Sequence, residues 1–188
     1  YEGVVIQIGS RLGDIQVDGR RVTAGAGALL AHVCLAAAEA GLAGLEFAYG
    51  IPGCVGGGVY MNAGAYGGEM KDILENATFF DDQLREVTLS AADLHLGYRT
   101  SAFELMPWCI LRASFLLEPG NADEIRERMR DFAQRRVDKQ PLDMPSAGST
   151  FKRPKGAYAG ALIDKCGLRG YAVGGAAISE KHCGFVVN

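Results

Sequence analysis

The stretch Gly50-Ile-Pro-Gly-Cys-Val-Gly-Gly-Gly-Val-Tyr-Met-Asn-Ala-Gly-Ala-Tyr-Gly-Gly68 gathers eight of the chain's 26 glycines into 19 residues. Glycine lets a backbone pass close to another group, or take positive φ, without steric cost. A flexible linker of this glycine content would be padded with serine and other polar residues. Here the spacers are Ile51, Val55, Val59, Tyr60, Met61 and Tyr66. The segment therefore reads as backbone packed tightly against something flat or anionic, and a large cofactor is the natural candidate. It is not Gly-x-Gly-x-x-Gly, and no Gly-Lys-[Ser/Thr] follows it, so neither the dinucleotide-sandwich turn nor the P-loop is supported. Gly53 to Gly58, ahead of Val59–Asn62, fits a phosphate-cradling turn that opens a short helix. It fits equally a tight turn packed under a sheet.

Outward from this segment the chain has the patterning of an ordinary globular protein. Its 188 residues, net charge of −3 and hydrophobic content of 48% suit one domain or two small ones. The mild acidity leaves no footprint for nucleic acid or for an anionic membrane surface. No run is apolar enough to span a bilayer, because Ala24–Leu45 is broken by His32 and Glu39. The start shows no signal-peptide pattern. Cysteines 34, 54, 109, 166 and 183 are odd in number and contain no Cys-x-x-Cys. That points to reduced thiols in a cytoplasm, with neither a disulfide framework nor a metal site.

Strands are expected at 1–8, 13–17 and 21–24, the last two joined at Asp18-Gly19, and again at 76–80 and 84–89. Trp108–Leu117 is nearly all apolar and is expected to be a central strand. Gly27 to Gly41 reads as a buried, alanine-rich helix ended by Gly41. Ala122–Lys139 reads as an amphipathic helix with Ile125, Met129, Phe132, Ala133 and Val137 on one face. Gln140-Pro-Leu-Asp-Met-Pro145 then stops it at a domain boundary.

Three further clusters carry candidate chemistry. Ser146-Ala-Gly-Ser-Thr-Phe-Lys-Arg-Pro154 sets Ser149 beside Lys152 and Arg153. Its serine lacks a Gly-x-Ser-x-Gly elbow, which leaves proton donation next to cations or a turn or N-cap role. In Gly97-Tyr-Arg-Thr-Ser-Ala-Phe103 the Arg99 fork suits a carboxylate or a developing oxyanion, or a surface ion pair. In Val173–Asn188, Ser179 and His182 sit beside a glycine-rich bend, either lining a pocket or forming a turn before a buried strand.

In this order and with these residues, the four clusters resemble the UDP-N-acetylenolpyruvoylglucosamine reductase (UDP-N-acetylmuramate dehydrogenase) family, in its shorter subclass, over essentially the whole chain. The specific motifs are Ile-Pro-Gly-x-Val-Gly-Gly with Asn-Ala-Gly-Ala-Tyr-Gly-Gly-Glu, and Gly-Ser-Thr-Phe-Lys-Arg-Pro. The resemblance implies an α+β chain: the second half of a vanillyl-alcohol-oxidase-type FAD-binding domain (1–120), a connecting helix (121–140), and part of a smaller α+β substrate-binding domain (141–188). It implies a cytoplasmic flavoenzyme of peptidoglycan precursor synthesis, with non-covalent FAD and with NADPH as hydride donor. Hydride would pass from reduced FAD to the enolpyruvyl UDP-sugar, giving UDP-N-acetylmuramate.

The resemblance also assigns residues. Arg99 would stabilise the enolate that hydride addition creates, and Ser149 would protonate the carbanion carbon. Ile51, Pro52, Gly53, Cys54, Gly56, Gly57, Asn62, Ala63, Gly64, Ala65 and Tyr66 would line FAD. Tyr66, Lys139, Lys152, Arg153 and His182, with Arg99 and Ser149, would face the UDP-sugar. The family's C-terminal catalytic glutamate and its N-terminal Ser-Asn glycine loop have no counterpart in these residues, and Glu180 belongs to a different motif. The expectation is of a fragment, truncated at both ends, that binds FAD weakly and reduces little. Two alternatives stand beside it: another FAD oxidoreductase of the same superfamily, and a UDP-sugar- or nucleotide-binding module without catalysis.

Overall fold

In the computed structural model, which describes residues 2–188, the apolar run 108–117 supplies the middle strand of a five-stranded antiparallel sheet. Its strands are β1 (Ile15–Asp18), β2 (Arg21–Gly25), β3 (Leu74–Phe80), β4 (Glu86–Ser90) and β5 (Cys109–Leu116), ordered β1-β2-β5-β3-β4. The register sets Ala24 opposite Ala113 and Ala113 opposite Ala77, all three without exposure. This row of small side chains leaves room for a helix close above the sheet. That helix is α2 (Val55–Tyr60), drawn from the glycine-rich segment and packed on β5 and β2.

The expected helix at 27–41 forms as α1 (Leu30–Glu39). It starts later because Leu29 is extended and the carbonyls of Ala26 and Ala28 are engaged by the Gly56 and Val55 amides. Gly41, at φ +67°, ends it as its position suggests. The expected strand at 84–89 also starts later. Residues 81–85 form a turn in which Leu84 takes φ +59° and the Asp81 carboxylate accepts the Gln83 and Arg85 amides. The strand expected at 1–8 does not form over residues 2–8; Tyr1 lies outside the described residues.

The chain divides into two compact units, Tyr1–Phe132 and Ala133–Asn188. Helix α3 (Ala122–Lys139) begins in the first and ends in the second. Asn121 Oδ1 accepts its Asp123 and Glu124 amides, acids fill its first turn, and Arg136 and Lys139 its last. Ile125 and Met129 are buried as the pattern requires, whereas Val137 is half exposed. In the first unit Arg128 of this helix holds the buried Glu46 carboxylate at 2.8 Å.

The second unit is a four-stranded antiparallel sheet, β6 (Ser146–Ser149), β7 (Ala172–Val173), β8 (Ala176–Ile178) and β9 (Phe185–Val187), ordered β6-β9-β8-β7. Helix α4 (Ala159–Lys165) accompanies it. Among the described residues no helix is long and apolar enough to cross a membrane.

Candidate functional site

The glycine-rich segment does not place a turn ahead of a helix at 59–62. It is itself the helix, with Gly56, Gly57 and Gly58 inside α2. Three glycines make a poor helix by propensity, so tertiary contacts must hold it. Val55 N–H donates to Ala28 O and Gly56 N–H to Ala26 O, each at 2.9 Å. A Cβ on Gly56 would stand 3.1 Å from Ala26 Cβ, and one on Gly68 would stand 2.6 Å from the Phe47 ring. These glycines are explained by close packing within the chain. Gly58 adds ordinary contact with Leu30 and Met70.

Gly57 differs from them. It is exposed and lies in a helix, with no atom within 4 Å of where its Cβ would be. Its N–H has no backbone acceptor among the described residues. Nothing in this chain requires glycine there, although alanine would favour the helix by roughly 0.5–1 kcal/mol. The neighbouring Gly53 is also exposed with open space at its Cβ, at φ +152°. Pro52 is exposed, and Ile51 and Cys54 are half-buried beside it. The backbone here is bare, with open space above it and an amide to spare.

Past α2 the segment turns back on itself. Ala63 is buried, and Gly64–Ala65 pairs with Gly68–Glu69. At the tip Tyr66, at φ +53°, stacks on Phe132 with ring centroids 4.7 Å apart and planes 4° from parallel. Asn62 is buried at the base of this return.

Arg99 comes to the same place. It sits in a turn closed by reciprocal backbone bonds between Gly97 and Thr100, at φ +54°. Its guanidinium donates to Gly64 O at 2.7 Å and to Asn62 O at 3.2 Å, with the Tyr98 ring beside it. Two of the five guanidinium N–H donors are thereby engaged and three remain. Ser101, which the sequence reading passed over, is buried and donates its hydroxyl to Tyr60 O at 2.6 Å. The only signal for it was its place two residues after Arg99.

In the second unit, Ser149 ends β6 opposite Phe185 of β9. It caps no helix, and its hydroxyl has no hydrogen-bond partner among the described residues. The strand pairing brings it to His182 and Gly184. A Cβ on Gly184 would lie 2.9 Å from the imidazole and 3.4 Å from Ser149 Oγ, so glycine is needed for space. A Cβ on Gly160 would stand 3.4 Å from the same ring. His182 Nδ1 accepts the Gly184 N–H at 3.0 Å, which leaves the hydrogen on Nε2 in the neutral ring. Its ring meets Phe185 edge to face. Ser179 is turned inward, its hydroxyl accepting the Lys181 and His182 amides. Lys152 and Arg153 lie on the exposed stretch after β6, with the Arg153 guanidinium 3.9 Å from the Tyr158 ring centre. Lys139 is exposed in the last turn of α3 and is not brought to Ser149 by any contact described here.

Two electrostatic features frame these groups. Arg169 clamps Asp164 with two hydrogen bonds, at 2.9 and 2.7 Å, and holds its carboxyl below the ordinary range. The buried Cys34 thiol is pushed up to about 12, chiefly by burial and then by Glu46. It is therefore no nucleophile.

The sheet, the glycine helix laid on it and the small second unit define a class: a vanillyl-alcohol-oxidase-type FAD-binding fold followed by an α+β C-terminal domain. An FAD binding domain model matches residues 1–90, and the model for the C-terminal domain of UDP-N-acetylenolpyruvoylglucosamine reductase matches residues 140–188. The chain is 49% identical over 186 residues to a UDP-N-acetylenolpyruvoylglucosamine reductase of Caldanaerobacter subterraneus, covering 99% of this chain and 61% of the relative. It is 53% identical over 200 residues to the protein of that name in Agathobacter rectalis, covering 99% and 63%. Among solved structures, UDP-N-acetylenolpyruvylglucosamine reductase from Thermus caldophilus superposes with a TM-score of 0.81 at 40% identity, over 92% of this chain and 63% of that one. The chain belongs to the UDP-N-acetylenolpyruvoylglucosamine reductase family, and it spans about three-fifths of the length of these curated relatives.

Proposed function

We propose that this chain belongs to an FAD-dependent, NADPH-consuming reductase of UDP-N-acetylglucosamine enolpyruvate, acting in the cytoplasm in peptidoglycan precursor synthesis. The observation that carries the reading is the open backbone at Gly57 together with the Arg99 guanidinium docked on the Asn62 and Gly64 carbonyls of the same segment. Bound FAD supplies the hydride, which it has taken from NADPH. A segment whose exposed glycines Gly53 and Gly57 have open space where a side chain would stand fits such a flat, diphosphate-bearing group.

The remaining chemistry falls to this chain's side chains. Hydride addition to the enolpyruvyl β-carbon drives negative charge onto the neighbouring carboxylate. Arg99 has three N–H donors left to hold that carboxylate, and two bonds that fix its fork in advance. A fixed donor costs no reorganisation when the charge develops. The α-carbon must then take a proton, and Ser149 offers a hydroxyl with no bond of its own to break. His182, whose Nδ1 accepts the Gly184 N–H, offers Nε2–H as a donor to substrate oxygen. Lys152 and Arg153 supply positive charge suited to the substrate's diphosphate.

The test is anaerobic and has two steps. The protein carrying this chain, loaded with FAD, is reduced by NADPH and then mixed with the enolpyruvyl UDP-sugar. Reoxidation of the flavin with formation of the lactyl ether supports the reading. A reduced flavin indifferent to the sugar, but reoxidised by dioxygen, would instead favour an oxidase of the same fold.

A further inference from the structure

We propose that Asn62 is a positioning residue for Arg99: it ties the arginine's turn to the glycine-rich segment and does so without touching a ligand. Asn62 has no exposure. Its Nδ2 donates to Glu69 Oε2 at 2.7 Å and to Gly97 O at 2.8 Å, and its Oδ1 accepts the Lys71 N–H at 2.9 Å. Both amide hydrogens are therefore spent. The backbone is spent as well: its N–H goes to Val59 O and its carbonyl accepts the Arg99 guanidinium.

Each bond has a consequence for Arg99. Gly97 opens the turn that carries Arg99 at its tip, so the bond to Gly97 O anchors the turn on the side before the arginine. Ser101 anchors the side after it through Tyr60 O. The guanidinium then closes the loop by returning to Asn62 O and Gly64 O. Glu69, which receives the second amide hydrogen, is itself fixed by the Lys71 ammonium and by a reciprocal cap with Asp72. The residue type follows from these demands. The site needs two donors and one acceptor on a short side chain, and a residue that tolerates φ +42°. Aspartate would bring a second carboxylate against Glu69 with no hydrogen to share. Alanine would take the amide donor away from the part-buried Glu69 carboxylate and Gly97 carbonyl and leave the Lys71 N–H without its acceptor.

The inference rests on the reading of Arg99 as the group that holds the substrate carboxylate, and its test separates the two. In flavin-free N62A, amide exchange at residues 97–101 should quicken about tenfold or more, as expected where a local opening free energy falls, while β5 keeps its protection. In the FAD-loaded protein, flavin reduction by NADPH should stay within about threefold of wild type. Reoxidation by the enolpyruvyl sugar should fall by about a hundredfold, in line with loss of a fixed oxyanion donor. Adding N62A to R99A should cost little more, because the two act as one unit. N62D keeps the acceptor and the shape but has no donor, and gives the same readings if N62A does not fold. Unchanged exchange at 97–101, equal losses in both half-reactions, or losses that multiply in the double variant would each overturn the proposal. If wild type itself ignores the sugar, the functional reading fails, and the exchange measurement alone still decides the role of Asn62.

Discussion

Arg99 shows how far a single residue can be understood from its surroundings. Its left-handed backbone carries a cost that persists only where neighbours over-determine it. Here the Gly97–Thr100 turn and two carbonyl acceptors do so. Lysine cannot reproduce a two-pronged dock with donors left over. R99K is therefore expected to slow the sugar-dependent half-reaction by about 10²–10³-fold, the usual cost of a missing oxyanion donor, and to leave flavin reduction by NADPH intact; stopped-flow absorbance reads both steps. Thiol chemistry gives a second check at this scale. Cys109 and Cys166 are exposed, whereas Cys34 and Cys183 are buried and their thiols are raised by that burial. Native protein should label at Cys109 and Cys166 and spare Cys34 and Cys183 until denaturant is added, as mass spectrometry would show.

The elements make sharper predictions, because the glycines of the glycine-rich segment are there for different reasons. G57A adds a methyl where the chain has only open space, so the flavin-free protein should gain about 0.5–1 kcal/mol in urea unfolding. FAD affinity should fall by about tenfold or more, a shift of about 1.4 kcal/mol in binding. G68A drives a methyl against the Phe47 ring and should lose about 1–3 kcal/mol, the range for overpacking. If both variants behaved alike, the FAD-lining role proposed for Gly57 would have no support. The β3–β4 turn predicts a pH effect. Asp81 accepts the Arg85 amide foremost, and also the Gln83 amide and the Arg85 guanidinium; these bonds outweigh its burial and hold its carboxyl below the ordinary value. A depressed folded pKa gives stability that is complete above the unfolded value, near 3.9, and is lost as pH falls through the folded one. The difference in stability between wild type and D81N should therefore hold steady at neutral pH and shrink on acidification below about pH 4, as thermal melts across that range would record. The elements were largely legible beforehand. Trp108–Leu117 announced the central strand by its apolar run, and α3 announced itself by periodicity and charge. The glycine helix was not legible, because its stability comes from Ala26 and Ala28 carbonyls that no local pattern reveals. The late start of β4 was hidden in the same way, in a turn set by one carboxylate.

At the scale of the whole molecule, the sequence motifs fall in both units. Gly50–Gly68 and the Arg99 turn lie in the first, and Ser149 with His182 in the second. Tertiary contacts added what the motifs could not supply. Asn62 read as one more residue along a cofactor, because its partner Gly97 is 35 positions away. Gly184 lies in the segment whose pattern suited a pocket or a turn, and the imidazole wedged against it and against Gly160 is a contact that no local pattern reveals. Lys139 carried a motif resemblance that no contact described here reinforces. The central claim is that a proton held at Ser149 completes a reduction begun by flavin, and the S149A variant of the FAD-loaded protein tests it most directly. Mixed anaerobically with NADPH and then with the enolpyruvyl UDP-sugar, S149A should show flavin reduction at the wild-type rate and almost no reoxidation by the sugar. Reoxidation at the wild-type rate with formation of UDP-N-acetylmuramate would contradict the account.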